Sequence, residues 1–175
     1  MATNAVNIGT GDASGMFFAS TAGTVLPTNL SSLTGWTEVG YISDAGMELA
    51  LNKTRTDIKD WSKTVRRIVL TEHDETASGV CISATSASLS ELFGSTNVTA
   101  TTASITVNLS DNELPPERAY LFVVKDGDDY VAFGCQKGQL LVNGSITFAP
   151  DQPISFPFEI GALGSTGMQL IKDIG

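Results

Sequence analysis

Hydrophobic positions in this chain recur mostly at every second residue, the spacing of a strand with one face on a core. Met47, Leu49 and Leu51 alternate with Glu48, Ala50 and Asn52, and residues 65–70 form a second run. The polar stretch between them predicts a hairpin with a long loop at 52–64. A loop of that length exceeds what a turn needs and marks a functional candidate. Val80, Ile82 and Ala84 predict a further short strand, and Ile105, Val107 and Leu109 alternate with Thr106 and Asn108. Residues 119–124 are apolar throughout, as in a central strand. Asp126-Gly127 predicts a tight hairpin into 130–133, and Asn143-Gly144 another between 139–142 and 145–148. Ile154, Phe156, Phe158 and Ile160 alternate with polar positions, and Pro157, which cannot donate a ladder bond, assigns that strand to an edge or a bulge.

One segment departs from period two. Over 86–93, Leu89, Leu92 and Phe93 share a helical face, and Ser88 and Glu91 have capping-box spacing, with Ser86 as an alternative cap. Gly94 suits the left-handed residue that ends a helix. The first 35 residues are rich in Gly, Ser, Thr and Asn around the short apolar groups 16–18 and 25–26. They have little core-building power alone, so they are expected to be an extended arm ordered by another subunit. The fold class that follows is mainly β: an antiparallel sandwich or barrel with one short flanking helix at about 86–93, a single domain over 36–175 behind an arm at 1–35. The length of 175 residues suits one core.

Composition narrows the function by exclusion. The net charge of -9 disfavours binding to nucleic acid through a basic surface. The apolar content is too interrupted for a membrane span, and the start lacks a secretion-signal pattern, so folding in a cytoplasm is expected. The single histidine, His73, lies among acidic neighbours and the two cysteines, Cys81 and Cys135, stand far apart in apolar runs. Neither a hydrolytic triad nor a zinc set can be assembled from these, so no enzyme and no cofactor are expected, and both thiols are expected buried and free.

The distribution of charge says more than its total. Lys53, Arg55, Lys59, Lys63, Arg66 and Arg67 are set against only Asp57 and Asp60, a local net of +4 that leaves -13 on the rest of the chain. A basic protrusion on an acidic body suits a protein that binds its own copies, and Trp61 in the same stretch adds an aromatic anchor. Each exposed ion pair is worth less than about 1 kcal/mol, so only a repeated contact makes the pattern matter.

The segment Gly35-Trp36-Thr37-Glu38-Val39-Gly40-Tyr41-Ile42-Ser43-Asp44-Ala45-Gly46 resembles the opening W-x-x-(L/V)-G-x-(I/V)-x-x-x-G motif of major tail tube proteins from long, flexible-tailed bacteriophages. The order of elements that follows is similar over nearly the whole length. The resemblance implies a structural subunit of the virion tail, made in the host cytoplasm. Its copies would form hexameric rings whose inner sheets join into a barrel, stacked into the conduit through which the genome leaves. The implied partners are the protein itself and tail components such as tape measure, terminator and distal tail proteins, with DNA passing without sticking. The loop at 52–64 is carried over as the ring-to-ring contact and the N-terminal arm as a second, with Glu38, Asp44 and Glu48 as acidic residues facing the lumen. A carbohydrate- or receptor-binding β-sandwich of a fibre or adhesin is the competing reading, which clustered exposed aromatics would favour.

Overall fold

The computed structural model describes residues 16–110, 114–126 and 129–173. Its elements are β1 (Met16–Thr21), β2 (Thr37–Lys59), β3 (Val65–Cys81), α1 (Ser86–Phe93), β4 (Val98–Ala100), β5 (Ile105–Val107), β6 (Arg118–Asp126), β7 (Asp129–Val142), β8 (Phe156–Ala162) and β9 (Met168–Asp173). Every pairing is antiparallel. β6 pairs with β1, β1 with β2, β2 with β3, β3 with β8, β8 with β7, and β7 returns to β6, so six strands close into a barrel within one chain. β9 adds to β7 beside β8, and β4–β5 form a separate small ribbon.

Alternation along the strands fills this barrel. Phe17, Tyr120, Phe122 and Phe158 point inward, with Phe17 stacked on Phe122 at 4.8 Å and on Phe158 at 5.3 Å between ring centroids. Leu121 and Val123, on the other face of β6, are buried by a second cluster with Leu26 and Leu30, against which Leu33, Trp36 and Tyr130 pack. β6 is therefore covered on both sides, which explains its unbroken apolar run. β6 and β7 approach so closely at Gly134 that a Cβ there would stand 2.2 Å from the Tyr120 carbonyl oxygen.

These contacts correct the reading of residues 1–35 as an arm. Residues 1–15 lie outside the described residues, but 16–35 belong to the domain. β1 is an interior strand between β6 and β2, and the segment after it covers the outside of β6. The segment is pinned where Gly23 N–H donates to the Gln136 carbonyl (2.7 Å) and Leu30 N–H to the Asp173 carboxylate (2.8 Å). Partners so distant in sequence leave no local trace, which is why the segment reads as unattached.

Other differences are smaller. β3 runs unbroken to Cys81, so 80–84 is no separate strand. β7 pairs with β8 rather than with 145–148, and the Asn143 N–H goes to the Pro157 carbonyl. β8 is an interior strand, not an edge; Pro157 is tolerated as its second residue, beyond the last β7 pair at Phe158. The helix has the expected span, but its cap is Thr85: the Thr85 hydroxyl accepts from Ser88 N–H, and Ser88 Oγ accepts from Thr85 N–H. Glu91 is spent elsewhere, 2.9 Å from the Arg118 guanidinium, tying α1 to β6; burial raises its carboxyl pKa and Arg118 opposes the rise. Cys81 and Cys135 are free and buried, and burial pushes the Cys135 thiol up to about 11.

Candidate functional site

β2 and β3 are far longer than the barrel they help to close. β1 accompanies β2 only to Tyr41, and β8 accompanies β3 only between Thr76 and Cys81. Beyond those pairs the two strands continue together as a two-stranded ribbon, Leu51 opposite Glu75, whose carboxylate still accepts from Met168 N–H, then Asp57 opposite Ile68 and Lys59 opposite Val65. From Leu51 to Lys59 the rise is about 26 Å at strand spacing. The long loop expected at 52–64 is thus strand as far as Lys59, and only 60–64 is turn. The sequence disguises it because a ribbon wet on both faces has no core to impose alternation.

Asp60 builds the turn. Lys63 N–H donates to its carbonyl (2.9 Å), closing a β-turn, while its carboxylate accepts from Ser62 Oγ (2.6 Å), Thr64 N–H (3.0 Å) and Arg66 Nε (2.6 Å). Lys63 takes the left-handed position at φ 63°, where hairpins of this type favour glycine. The hydroxyl of Ser62, then Arg66, then the Thr64 amide hold the Asp60 carboxyl below its ordinary value of 3.8. A depressed carboxylate pKa stabilises above the unfolded value and is lost as pH falls through the folded one. The Thr64 amide is therefore expected to stay protected from hydrogen exchange at pH 5 and to lose protection only below pH 3.8; Asp60→Ala is expected to lose it at both. Equal exchange in the two proteins at pH 5 would show that the carboxylate does not organise the tip.

The ribbon carries what a contact surface needs. Trp61 stands fully exposed at the tip. Leu51, Ile58, Val65, Ile68 and Leu70 are each between 43% and 56% exposed. Opposite residues in an antiparallel pair share a face, so Leu70 and Ile68 project on the side of Arg55 and Asp57. Counting in twos along β2 from Asp57 leads back through Leu51 to Met47 and Leu49, whose side lines the barrel interior at Ala77. The apolar inner face of the barrel therefore continues onto the ribbon, where Leu51, Val65, Ile68 and Leu70 stay about half exposed. Arg55 pairs with Asp57 at 3.8 Å and Arg66 with Asp60, whereas Lys53, Lys59, Lys63 and Arg67 have no carboxylate within 4 Å among the described residues.

The three acidic candidates are not brought together. Glu38 sits exposed near the start of β2, opposite Phe18. Asp44 lies in a bulge in which 43–46 face a single residue of β3, with Gly46 at φ 77°. Glu48 projects outward in a row that crosses four strands, Glu48, Ser78, Glu159 and Leu141, next to the row Ala50, Thr76, Gly161 and Gln139. Asn52–Asp74 and Thr54–Glu72 extend the same face along the ribbon. Those rows hold four carboxylates and no lysine or arginine. Glu72, Asp74 and Glu159 are thus additions that the linear sequence could not reveal, since they join Glu48 only through register. Of the two tryptophans, Trp36 packs on the second core cluster and Trp61 stands alone at the tip, so no aromatic platform of the kind a sugar site uses is formed by them.

Among the described residues no helix is long and apolar enough to cross a membrane, and no three metal-binding side chains come together. A closed barrel that extends a cationic, apolar-sided ribbon, with no cluster of metal-binding side chains among the described residues, has the form of a structural subunit. The family comparison is specific about which: the chain belongs to the phage tail tube protein family, whose model matches residues 1–174. It is a structural subunit of the phage tail tube and a component of the virion tail. No curated protein matches the chain.

Proposed function

We propose that copies of this subunit associate into hexameric rings, and that the rings stack into the conduit for genome ejection in a long, flexible-tailed phage. The observation that carries the stacking is the ribbon, which reaches about 26 Å beyond the barrel with an uncovered apolar side and unpaired cations. In this reading Lys53, Arg55, Lys59, Trp61, Lys63, Arg66 and Arg67 form the ring-to-ring contact. The outer face of β2, β3 and β8 lines the lumen, with Glu48 joined by Glu72, Asp74 and Glu159; like charge there denies the DNA backbone a binding site. Glu38 and Asp44, at the start of β2 and in its bulge, extend the acidic lining. The role is structural and non-catalytic. Tape measure, terminator and distal tail proteins meet the two ends and the interior of the tube, and the subunit is made in the host cytoplasm.

Because the barrel proper closes within one chain, rings form through the free edges of the ribbon, of β9 and of the β4–β5 pair rather than by completing an open barrel. Electron microscopy of the assembled protein tests the proposal: end-on averages are expected to show six-fold rings with a central channel. A different rotational order overturns the ring number, and particles without a channel overturn the conduit.

A further inference from the structure

We infer that Trp61 of one copy seats in a groove on the far end of the next, lined by Leu92, Phe93, Asn97, Leu109, Leu141 and Ile146 among others. This rests on the ribbon being the ring-to-ring contact and names the surface that receives it.

The fold places tip and groove at opposite ends of the barrel. β3 runs from the tip at Val65 to Cys81, opposite Phe156, where β8 begins. β7 runs antiparallel to β8 and ends at Val142, opposite Phe158, with Leu141 beside it. α1 follows β3 at that same end and supplies Leu92 and Phe93. A protrusion at one end and a recess at the other make a head-to-tail contact, which repeats along an axis when its rotation does not close, the geometry a stack of rings requires.

Size and chemistry agree with this seat. The groove encloses about 340 Å³, within the roughly 300–1,000 Å³ of sites that hold small organic groups, so an indole fits. Its lining contains no charged residue. Leu109 is 67% exposed and Leu141 44%, so apolar surface stands uncovered around the opening just as the indole does at the tip. Asn97 gives its side-chain N–H to the Phe93 carbonyl (2.9 Å), which leaves its oxygen as an acceptor for an indole N–H, whereas the Asn108 oxygen already accepts from Ser110 N–H. The tip carries +4 and the body -13, so approach in this orientation is favoured. A groove of similar volume has the carboxylates of Glu48 and Glu159 in its lining, which an indole would have to strip of water, so it is the poorer seat.

The test uses two full-length single variants, Ser62→Cys, which leaves Trp61 in place, and Leu109→Cys. They are mixed, assembled under reducing conditions and then oxidised; buried Cys81 and Cys135 do not compete. A disulfide between residues 62 and 109, identified by peptide mass spectrometry and absent from the unassembled mixture, is the expected result. Tubes that yield only 62–62 or 109–109 links overturn the head-to-tail seat. Should either variant fail to assemble, hydrogen exchange on unmodified protein decides the matter. Protection that rises on assembly at 60–64 together with 92–97 and 105–109 supports the groove. A rise at 60–64 alone overturns the groove and leaves the ribbon contact standing, whereas no rise at 60–64 overturns the ribbon contact itself.

Discussion

Replacing Lys53, Arg55, Lys59 and Lys63 together by glutamate is expected to abolish tube formation while the subunit stays folded. All four side chains are exposed on the ribbon and none touches either core cluster, so the barrel loses no packing. The charge balance, in contrast, reverses. Four substitutions, each worth two charges, take the segment from +4 to -4 against a body at -13. Each lost exposed pair is worth less than about 1 kcal/mol, but four fall in every contact, and like charges brought together add a penalty of several kcal/mol. The measurement is tube yield and length in electron micrographs, with thermal unfolding of the dispersed subunit as the control. Raising the salt concentration should weaken assembly of the unmodified protein in the same direction, because exposed charges are screened within about 8–10 Å near physiological ionic strength. Tubes of normal length and yield from the four-fold variant would remove the ribbon from the ring-to-ring contact.

Phe17→Ala is expected to have the opposite signature, a loss of stability of about 3–5 kcal/mol with no change on the exposed surface. Phe17 is fully buried and stacks on both Phe122 and Phe158, so its removal opens a void at the centre of the barrel. A loss of that size is a large share of the 5–15 kcal/mol by which a domain of this kind is stable. Chemical denaturation should show a lower midpoint with an unchanged slope. Were β1 an arm resting on a neighbour, the isolated subunit would unfold at the same midpoint with or without the ring. Trp61→Ala supplies the contrast: it removes roughly 150–250 Å² of contact area, worth about 4–6 kcal/mol gross per contact, and should leave the midpoint where it is while tubes are lost.

What the linear sequence conveyed depended on how local each interaction was. The helix over 86–93 was legible because its capping and its Leu89–Leu92–Phe93 face lie within one short segment, although Ser88 takes the inner place of the box and Thr85 the cap. The β6–β7 hairpin was legible from Asp126 and its neighbours, and the apolar run at 119–124 from burial on both faces. β1 was not, because its partners begin at residue 37 on one side and residue 118 on the other, and no local pattern records a pairing across that distance. β9 was missed for a related reason: three of its six residues, Gln169, Lys172 and Asp173, are polar, and only pairing with β7 makes it a strand. At the site the cationic cluster, Trp61 and the acid at Glu48 could be named from residue types alone. The conversion of a loop into a ribbon, and the alignment of Glu159 with Glu48, needed the register.

The separation between barrel and ribbon bears on how such a particle diverges over time. Phe17, Tyr120, Phe122 and Phe158 hold one another in place, and any change there disturbs all of them. Outside the turn that Asp60, Ser62 and Thr64 build, positions 52–64 carry no such obligation, so in the proposed stack they are free to drift provided the matching surface on the neighbour drifts with them. Two lineages whose protrusions and sockets have moved apart would then reject each other's building blocks during mixed infection, even while their interiors remained interchangeable.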